Sequence, residues 1–157
     1  MIVISSFRPF GESKEWDSNQ MRAFRSWLMF AERIYLFGEI IPMLKSNKVF
    51  FVASGEYPRI KDMVGLAASF KMKTTLICNG DIMIDPEILK VERKLSFAHA
   101  CCASSRRWHF NPEDTMKDSI RNASLMDKDG RDDRGRDVFM AKSTVWHKVY
   151  KEIPEVY

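Results

Sequence analysis

The sequence predicts an α/β fold, and two observations carry this prediction. Short apolar runs alternate with amphipathic stretches along the chain, which is the pattern of α/β proteins. Of the 157 residues, 45% are hydrophobic and 29% are charged, so the composition is that of a folded protein with ample material for a core. Globular domains mostly run to about 100–150 residues. We therefore expect residues 1–157 to form a single domain.

Six apolar runs are interpreted as strands, because compact apolar runs bounded by polar residues are typical of buried strands. They lie at residues 2–6, 33–37, 48–54, 74–78, 95–103 and 138–141. The run TTLIC at 74–78 is rich in β-branched residues, which favour strands.

Helices are predicted between these strands and after the last one. Apolar residues recur at helical spacing from Met21 to Ala31, and Asp17 or Ser18 is the expected N-cap of this helix. Tyr57-Pro58 is expected to open the next helix, with proline in the first turn. Three further helix starts are expected on the same grounds, at Asp85-Pro86, Asn111-Pro112 and Ser143.

Charge, cysteine content and hydropathy indicate where the protein is located and which kinds of ligand it can bind. No apolar run approaches the ~20 residues that span a bilayer, and the first residues lack the basic start of a signal peptide. The cysteines are Cys78, Cys101 and Cys102, an odd count with two adjacent, which does not suit a disulfide framework. We therefore expect a cytoplasmic protein. The net charge of +4 permits an anionic ligand without requiring nucleic acid.

Three polar clusters follow predicted strands, and ligands of open α/β sheets bind beyond the carboxyl ends of the strands. The clusters are Ser6-Phe7-Arg8-Pro9-Phe10-Gly11-Glu12, Asn79-Gly80-Asp81 and Ser105-Arg106-Arg107-Trp108. Mg²⁺ and Mn²⁺ bind carboxylate and phosphate oxygens, and arginine matches phosphate geometry. The clusters therefore suit a diphosphate with a divalent cation. Gly80 would let the backbone approach a ligand closely.

Each cluster also has a purely structural interpretation. Arg8-Pro9 suits a stiffened loop, and Asn79-Gly80-Asp81 is a common turn sequence. Arg106-Arg107 suits a solvated pair, and Trp108 suits a core position. The functional interpretation gains weight because all three clusters lie at predicted strand ends. Asp137 directly precedes the last apolar run, which predicts a position at a strand edge facing the same cleft.

Taken together, these residues resemble nucleotide-sugar glycosyltransferases of the GT-A fold, in the nucleotide-diphospho-sugar transferase superfamily. The resemblance covers nearly the whole chain and has four markers in order. They are FRPFGE with a Gln-x-x-Ala-x-x-Ser-Trp helix at 20–27, Asn79-Gly80-Asp81-Ile82, Arg106-Arg107-Trp108, and Gly135-Arg136-Asp137-Val138-Phe139 followed by Trp146 and Ile153-Pro154. The resemblance implies a three-layer α/β/α Rossmann-like fold with a mostly parallel central sheet.

The resemblance also implies an activity, the transfer of a sugar from a nucleotide-diphosphate sugar to an acceptor hydroxyl, with Mn²⁺ or Mg²⁺. Asp81 would match the metal-binding aspartate of the family's Asp-x-Asp region. Asp137 would bind the acceptor or act as general base. The residues expected to bind the nucleotide sugar are Ser6, Arg8, Pro9, Asn79, Gly80, Arg106, Arg107 and Trp108.

The chain departs from the family pattern at three places. Asp81-Ile82-Met83 lacks the second aspartate, His109 replaces the usual Asp, and the chain ends at Tyr157, where related proteins continue into Ile-Gly-Arg and Trp-Asp-Asn segments. Alternatives are therefore kept: a non-catalytic nucleotide-sugar binding or assembly module, a homodimer or partner that completes the acceptor side, and a nucleotidyltransferase. Nucleic-acid binding is a further, less favoured alternative, because the basic residues are interleaved with acidic ones.

Overall fold

The computed structural model describes residues 1–54, 58–97, 102–105 and 138–154, and the structural statements below concern these residues. Strands and helices alternate along them. In chain order they are β1 (Ile2–Ser6), α1 (Lys14–Leu28), β2 (Arg33–Phe37), a 3₁₀ turn (Pro42–Leu44), β3 (Val49–Val52), α2 (Ile60–Ser69), β4 (Thr74–Cys78), α3 (Ile88–Phe97), β5 (Cys102–Ser105), β6 (Val138–Lys142) and α4 (Ser143–Glu152).

The strands form one six-stranded sheet in the order β3-β2-β1-β4-β6-β5. The four strands from β3 to β4 pair in parallel. β6 pairs antiparallel with both of its neighbours, so it alone runs in the opposite direction among the described strands. This confirms the predicted α/β class with a mostly parallel central sheet.

Helices cover both faces of the sheet, and the side chains of β1 show how the two cores form. Val3 packs in one core with Trp27 of α1, and Ile4 packs in the other with Met63 of α2 and Trp146 of α4. A strand buried on both faces needs apolar side chains at successive positions. This is why β1 begins with the apolar run Ile2-Val3-Ile4, and the hydroxyl of the buried Ser5 donates to the Cys78 carbonyl at 2.7 Å. No described helix is long and apolar enough to cross a membrane.

The start of α1 differs from the prediction. The helix begins at Lys14 and its N-cap is Ser13, whose hydroxyl accepts a hydrogen bond from the Trp16 backbone N–H at 3.5 Å. Asp17 and Ser18 therefore lie inside the helix, and the predicted caps are wrong. Asp17 does not cap because its carboxylate accepts a hydrogen bond from the Gly11 backbone N–H at 3.0 Å instead.

The starts of the later described helices differ from the predicted positions by at most two residues. Pro58 and Pro86 each precede their helix by two residues, since α2 begins at Ile60 and α3 at Ile88. The Asp85 carboxylate accepts from the Glu87 backbone N–H at 2.7 Å, which closes a separate turn ahead of α3. Ser143 is the first residue of α4 rather than its cap. The helix predicted from Asn111-Pro112 lies outside the described residues.

The strand predicted at 95–103 is wrong over its first residues. Leu95 to Phe97 form the last part of α3, and β5 occupies only Cys102–Ser105. Leu95 is buried and lies seven residues after Ile88, which packs against the core. That spacing is two helical turns, so Leu95 continues the apolar stripe of the helix.

Candidate functional site

The candidate site lies where the strand order of the sheet reverses. β1 is followed in sequence by β2 on one side, while β4 is its neighbour on the other side. Such a switch point leaves a crevice beyond the carboxyl ends of the two strands, where open α/β sheets bind ligands. The strands end at Ser6 and Cys78, so the loops that follow them begin side by side.

The reversed strand brings two more chain segments to the same edge. Val138, the first residue of β6, pairs with Cys78 at the end of β4. Ser105, the last residue of β5, pairs with Val138 in turn. The described ends of four strands therefore meet at one edge of the sheet, which sequence reasoning alone did not establish.

The loops after β1 and β4 touch backbone to backbone at Gly80. A Cβ atom at this position would lie 2.3 Å from the Ser6 carbonyl oxygen and 2.5 Å from Cδ1 of Phe7. Real Cβ atoms do not approach other heavy atoms so closely, so the loop crossing requires glycine. The close approach seen here is to Ser6 and Phe7, and an approach of Gly80 to a ligand stays a prediction.

The first loop is held by a buried glutamine of α1. The Arg8 backbone N–H donates to Oε1 of Gln20 at 2.6 Å, and Nε2 of Gln20 donates to the Arg8 carbonyl at 3.3 Å. Gln20 is only 3% exposed, and both hydrogen bonds are partly buried. The Arg8 side chain is exposed, and its guanidinium carbon lies 4.5 Å from the ring centroid of Trp16. The backbone of Arg8 is thus fixed while its charge faces solvent.

A second contact holds the far end of the same loop. Gly11 adopts φ +98°, a left-handed conformation that glycine enters without steric cost, and its N–H donates to the Asp17 carboxylate. The other carboxylate oxygen of Asp17, Oδ1, is buried and has no hydrogen-bond partner among the described residues. The N-terminal half of α1 therefore fixes the loop at both Arg8 and Gly11.

The second loop is held by the C-terminal half of α1. Nε1 of Trp27 donates to the Ile82 carbonyl at 2.9 Å, and the Ile84 backbone N–H donates to the Ser26 hydroxyl at 3.0 Å. The Trp27 ring also stacks on Phe7 of the first loop, with centroids 5.6 Å apart and an interplanar angle of 13°. One tryptophan thus contacts both loops of the candidate site.

These contacts explain the Gln-x-x-Ala-x-x-Ser-Trp pattern of the first helix. Gln20, Ala23, Ser26 and Trp27 are all buried, with exposures of 3%, 0%, 1% and 0%. Residues three, four and seven apart share one face of a helix, so the pattern forms a single stripe that faces the two loops. Sequence reasoning used the pattern only as a family marker. The sequence did carry a signal for the loop contacts, because Gln20 and Ser26 are polar residues on an otherwise apolar helix stripe.

The second loop carries the exposed acidic group of the site. Asp81 and Asn79 are both exposed, and they directly follow the fully buried end of β4. Burial raises the pKa of the Cys78 thiol, and the negative charge of Asp81 raises it further. Cys78 is therefore a protonated core residue and not a nucleophile.

Among the described residues, no group of three or more His, Cys, Asp or Glu side chains is placed to hold a metal ion. A cation enclosed by protein ligands alone therefore does not fit them. Mg²⁺ often binds through one or two carboxylates together with substrate phosphates and water. The exposed carboxylate of Asp81 suits that second kind of site.

The structure brings six of the predicted site residues together at the end of β1 and on the two adjacent loops that follow β1 and β4. They are Ser6, Arg8, Pro9, Asn79, Gly80 and Asp81. The other four predicted residues lie outside the described residues. They are Arg106, Arg107, Trp108 and Asp137. The described residues next to these four are Ser105 and Val138, which pair with each other at the edge that carries the two loops.

Comparison with known proteins supports the fold. No protein-family model matches the chain, and no curated protein matches it in sequence. The chain is similar to a solved structure of CMP:2-keto-3-deoxy-manno-octonic acid synthetase in complex with CTP. The TM-score is 0.52 at 12% sequence identity, and the match covers 99% of this chain and 78% of the synthetase chain. The chain thus has the Rossmann-like α/β fold of that nucleotide-binding enzyme.

Proposed function

We propose that this protein binds a nucleotide-diphosphate sugar at the edge formed by the carboxyl ends of β1 and β4, and transfers the sugar to an acceptor hydroxyl. The observation that carries the proposal is the contact of the two loops at the switch point. There the backbone at Gly80 packs against Ser6, and the loops present an exposed cation and an exposed carboxylate. A diphosphate with a divalent cation needs both kinds of group.

The roles of the residues follow from their chemistry. The fixed backbone and exposed guanidinium of Arg8 suit a negatively charged nucleotide, because arginine pairs with phosphate oxygens in a forked geometry. Asp81 would hold Mn²⁺ or Mg²⁺, which on binding would stabilise the negative charge of the leaving diphosphate. Asn79, two residues earlier in the same loop, would contact the nucleotide sugar. Ser6 and Pro9, at the start of the first loop, would contact the base and ribose.

The acceptor side of the proposal depends on residues outside the described part of the chain. Asp137 would take the proton from the attacking hydroxyl, and Arg106, Arg107 and Trp108 would contact the donor. The support for these roles is their place in the sequence. They directly follow Ser105 or precede Val138, and these two residues pair at the same edge of the sheet. A single domain over residues 1–157, a cytoplasmic location and a homodimer also stay predictions.

A thermal-shift experiment tests the proposal. The protein is melted with UDP, GDP, CDP, TDP or ADP, each with Mn²⁺ and with EDTA. Because a ligand that binds only the folded state stabilises it, a nucleotide at 100 times its Kd adds about 2.7 kcal/mol to the free energy of unfolding. We expect one nucleotide to raise the melting temperature with Mn²⁺ and to lose most of that effect with EDTA.

A pair of variants tests the role of Asp81 in the same experiment. Asp81→Asn should abolish the difference between Mn²⁺ and EDTA while leaving the melting temperature without nucleotide unchanged, because the side chain is exposed. Asp85→Asn is the matched control, since its amide oxygen can still accept from the Glu87 N–H. Equal shifts with and without metal in the unaltered protein would contradict the metal role of Asp81.

The likeness to a synthetase in complex with CTP favours one second candidate, nucleotidyl transfer. A nucleotidyltransferase of this kind would be stabilised by CTP and would release pyrophosphate when CMP is transferred to an acceptor. A glycosyltransferase would instead be stabilised by the nucleoside diphosphate, and sugar transfer would release that nucleoside diphosphate rather than pyrophosphate. A binding module without catalysis would show the nucleotide-induced shift in melting temperature but would release neither pyrophosphate nor a nucleoside diphosphate.

A further inference from the structure

The edge of the sheet opposite the candidate site carries a row of cations. Lys48 directly precedes β3, Arg33 begins β2, Lys73 directly precedes β4 and Lys142 ends β6. These four strands and β1 are consecutive in the sheet. Since neighbouring strands lie about 4.8 Å apart, the row extends over about 20 Å.

Helix α3 and the turn before β4 add more positive charge at this edge. The Met1 amine lies 3.6 Å from a carboxylate oxygen of Glu92, which shows that α3 reaches the amino end of β1. The exposed Arg93 and Lys94 follow at once. Besides the Met1 amine, this edge holds seven basic side chains among the described residues, against the two acids Glu32 and Glu92. The seven cations are Arg33, Lys48, Lys71, Lys73, Arg93, Lys94 and Lys142.

Part of this charge is already compensated within the fold. Nζ of Lys73 lies 3.0 Å from a carboxylate oxygen of Glu32, and the hydrogen bond from Lys73 lowers the pKa of Glu32. Nζ of Lys48 donates to the Leu28 carbonyl at 3.2 Å. Helix C-termini favour nearby cations, which accounts for some of the others. The excess of seven cations over two acids nevertheless leaves the edge positive.

An exposed methionine lies in the middle of these cations. Met72 is 93% exposed and occupies the turn between α2 and β4, with Lys71 on one side and Lys73 on the other. Its φ of +61° is left-handed, which is uncommon for a residue with a Cβ atom. A second exposed methionine, Met29, lies three residues before Glu32, the partner of Lys73. Helix-terminus electrostatics account for some of the cations but not for these apolar side chains.

We propose that this edge docks on the surface of an anionic phospholipid bilayer. Lysine and arginine side chains are attracted to acidic head groups, and an exposed apolar side chain gains by entering the interface. The exposed methionine favours a bilayer over nucleic acid, because a thioether neither pairs with phosphate nor offers the aromatic face on which bases stack.

This docking would leave the candidate site facing water. The site lies beyond the other end of strands that are five residues long, a distance of about 17 Å along the sheet. The membrane proposal therefore involves different residues from the proposed function, and each stands or fails without the other.

Vesicle co-sedimentation tests the proposal with the full chain. Vesicles of phosphatidylcholine alone are compared with vesicles that contain about one third phosphatidylserine, at low and at physiological salt. We expect binding only to the anionic vesicles, weakened by salt because the Debye length falls to about 8 Å. Lys71→Gln should reduce the partition coefficient about five-fold, the effect of one cation near a charged surface.

The apolar contribution is tested by a matched pair of variants. Met72→Asn keeps a residue that accepts left-handed φ, so the fold is retained while the apolar side chain is lost, and binding to anionic vesicles should fall at least five-fold. Ile60→Asn is the control, because Ile60 is 64% exposed and lies between Arg59 and Lys61 at the opposite edge of the sheet. Melting temperatures check that both variants are folded.

Three outcomes would overturn the proposal. They are equal binding to neutral and anionic vesicles, no binding to either, and an unchanged partition coefficient for Met72→Asn. Binding of a single-stranded oligonucleotide that Lys71→Gln weakens, without vesicle binding, would assign the cationic edge to nucleic acid instead.

Discussion

Gly80 crosses the end of β1 so closely that a Cβ atom would lie 2.3 Å from the carbonyl oxygen of Ser6. The obstacle is backbone, which cannot rotate away as a side chain can. The two loops of the candidate site therefore fit together only while residue 80 has no side chain.

Gly80→Ala should separate the two loops. We expect it to lower the free energy of unfolding by about 1–3 kcal/mol, the usual cost of overpacking, and to weaken nucleotide binding. Urea denaturation and the thermal-shift panel measure the two effects. Gly65→Ala is the matched control, because its Cβ would meet Cε2 of Tyr150 at 3.0 Å, the end of a half-exposed side chain that can move. Equal losses for both variants would contradict the special role of the Gly80 crossing.

Gln20→Leu should release the first loop. The substitution keeps the approximate volume but removes both hydrogen bonds to the Arg8 backbone, leaving a partly buried N–H and carbonyl without their partner. The cost of such unsatisfied groups is about 1–3 kcal/mol. Chemical denaturation gives this value, and nucleotide affinity should fall with it. Ser18→Ala, on the exposed side of the same helix, is the control and should change neither the free energy of unfolding nor the nucleotide affinity. Full nucleotide affinity of the Gln20→Leu protein would contradict the prediction, because it would show that binding does not need the hydrogen bonds from Gln20 to the loop.

Trp27→Phe separates the two contacts of this side chain. Phenylalanine can keep the stacking on Phe7 but cannot donate to the Ile82 carbonyl. The lost hydrogen bond predicts a destabilisation of about 1 kcal/mol, with a further loss for the smaller ring. Amide hydrogen exchange should rise in residues 79–84 more than in residues 7–12. The reverse order would mean that stacking, and not the hydrogen bond, fixes the second loop.

The thiol of Cys78 should be unreactive in the folded protein, because burial raises its pKa and the charge of Asp81 adds to the effect. With Cys101 and Cys102 replaced by serine, a thiol reagent at pH 8 should modify Cys78 only after denaturation. Rapid modification of the folded double variant would show that the end of β4 opens to solvent.

The same shift predicts how stability depends on pH. An unfolded thiol has a pKa near 8.5, and the folded value is higher, so the folded state retains the proton that the unfolded state releases. This stabilisation is fully present below pH ~8.5 and declines above it by about 1.4 kcal/mol per pH unit. Urea midpoints at pH 7.5 and 9.5 should differ more for the unaltered protein than for Cys78→Ala. Equal differences would contradict the raised pKa.

The sequence predicts the central strands to the residue, and burial explains why. β1, β2 and β4 match the predicted runs at 2–6, 33–37 and 74–78. A strand between two helical layers is mostly apolar, so it appears in the sequence as a compact hydrophobic run between polar segments. Helix starts depend on single side chains that have several acceptable partners. Asp17 illustrates this, because a favourable N-cap residue bonds to Gly11 in the loop instead.

The candidate site was predictable in part for a related reason. Polar clusters at strand ends identified the loops at Ser6 and Asn79, since parallel strands place their carboxyl ends together. The hydrogen bonds that hold those loops join residues far apart in sequence, such as Trp27 with Ile82 and Ser26 with Ile84. Local patterns cannot pair such residues, and the reversed direction of β6 likewise depends on the whole sheet.

The pairing of Ser105 with Val138 has a consequence for how proteins of this architecture can diversify. Because β5 ends at Ser105 and β6 begins at Val138, the two points between which residues 106–137 run are held one strand spacing apart. This distance does not depend on the sequence of residues 106–137. The entropy of closing such an insert grows slowly, by about 0.6 kcal/mol for each doubling of its length. The length of chain between Ser105 and Val138 can therefore change at little cost while the pairing of these two residues is kept.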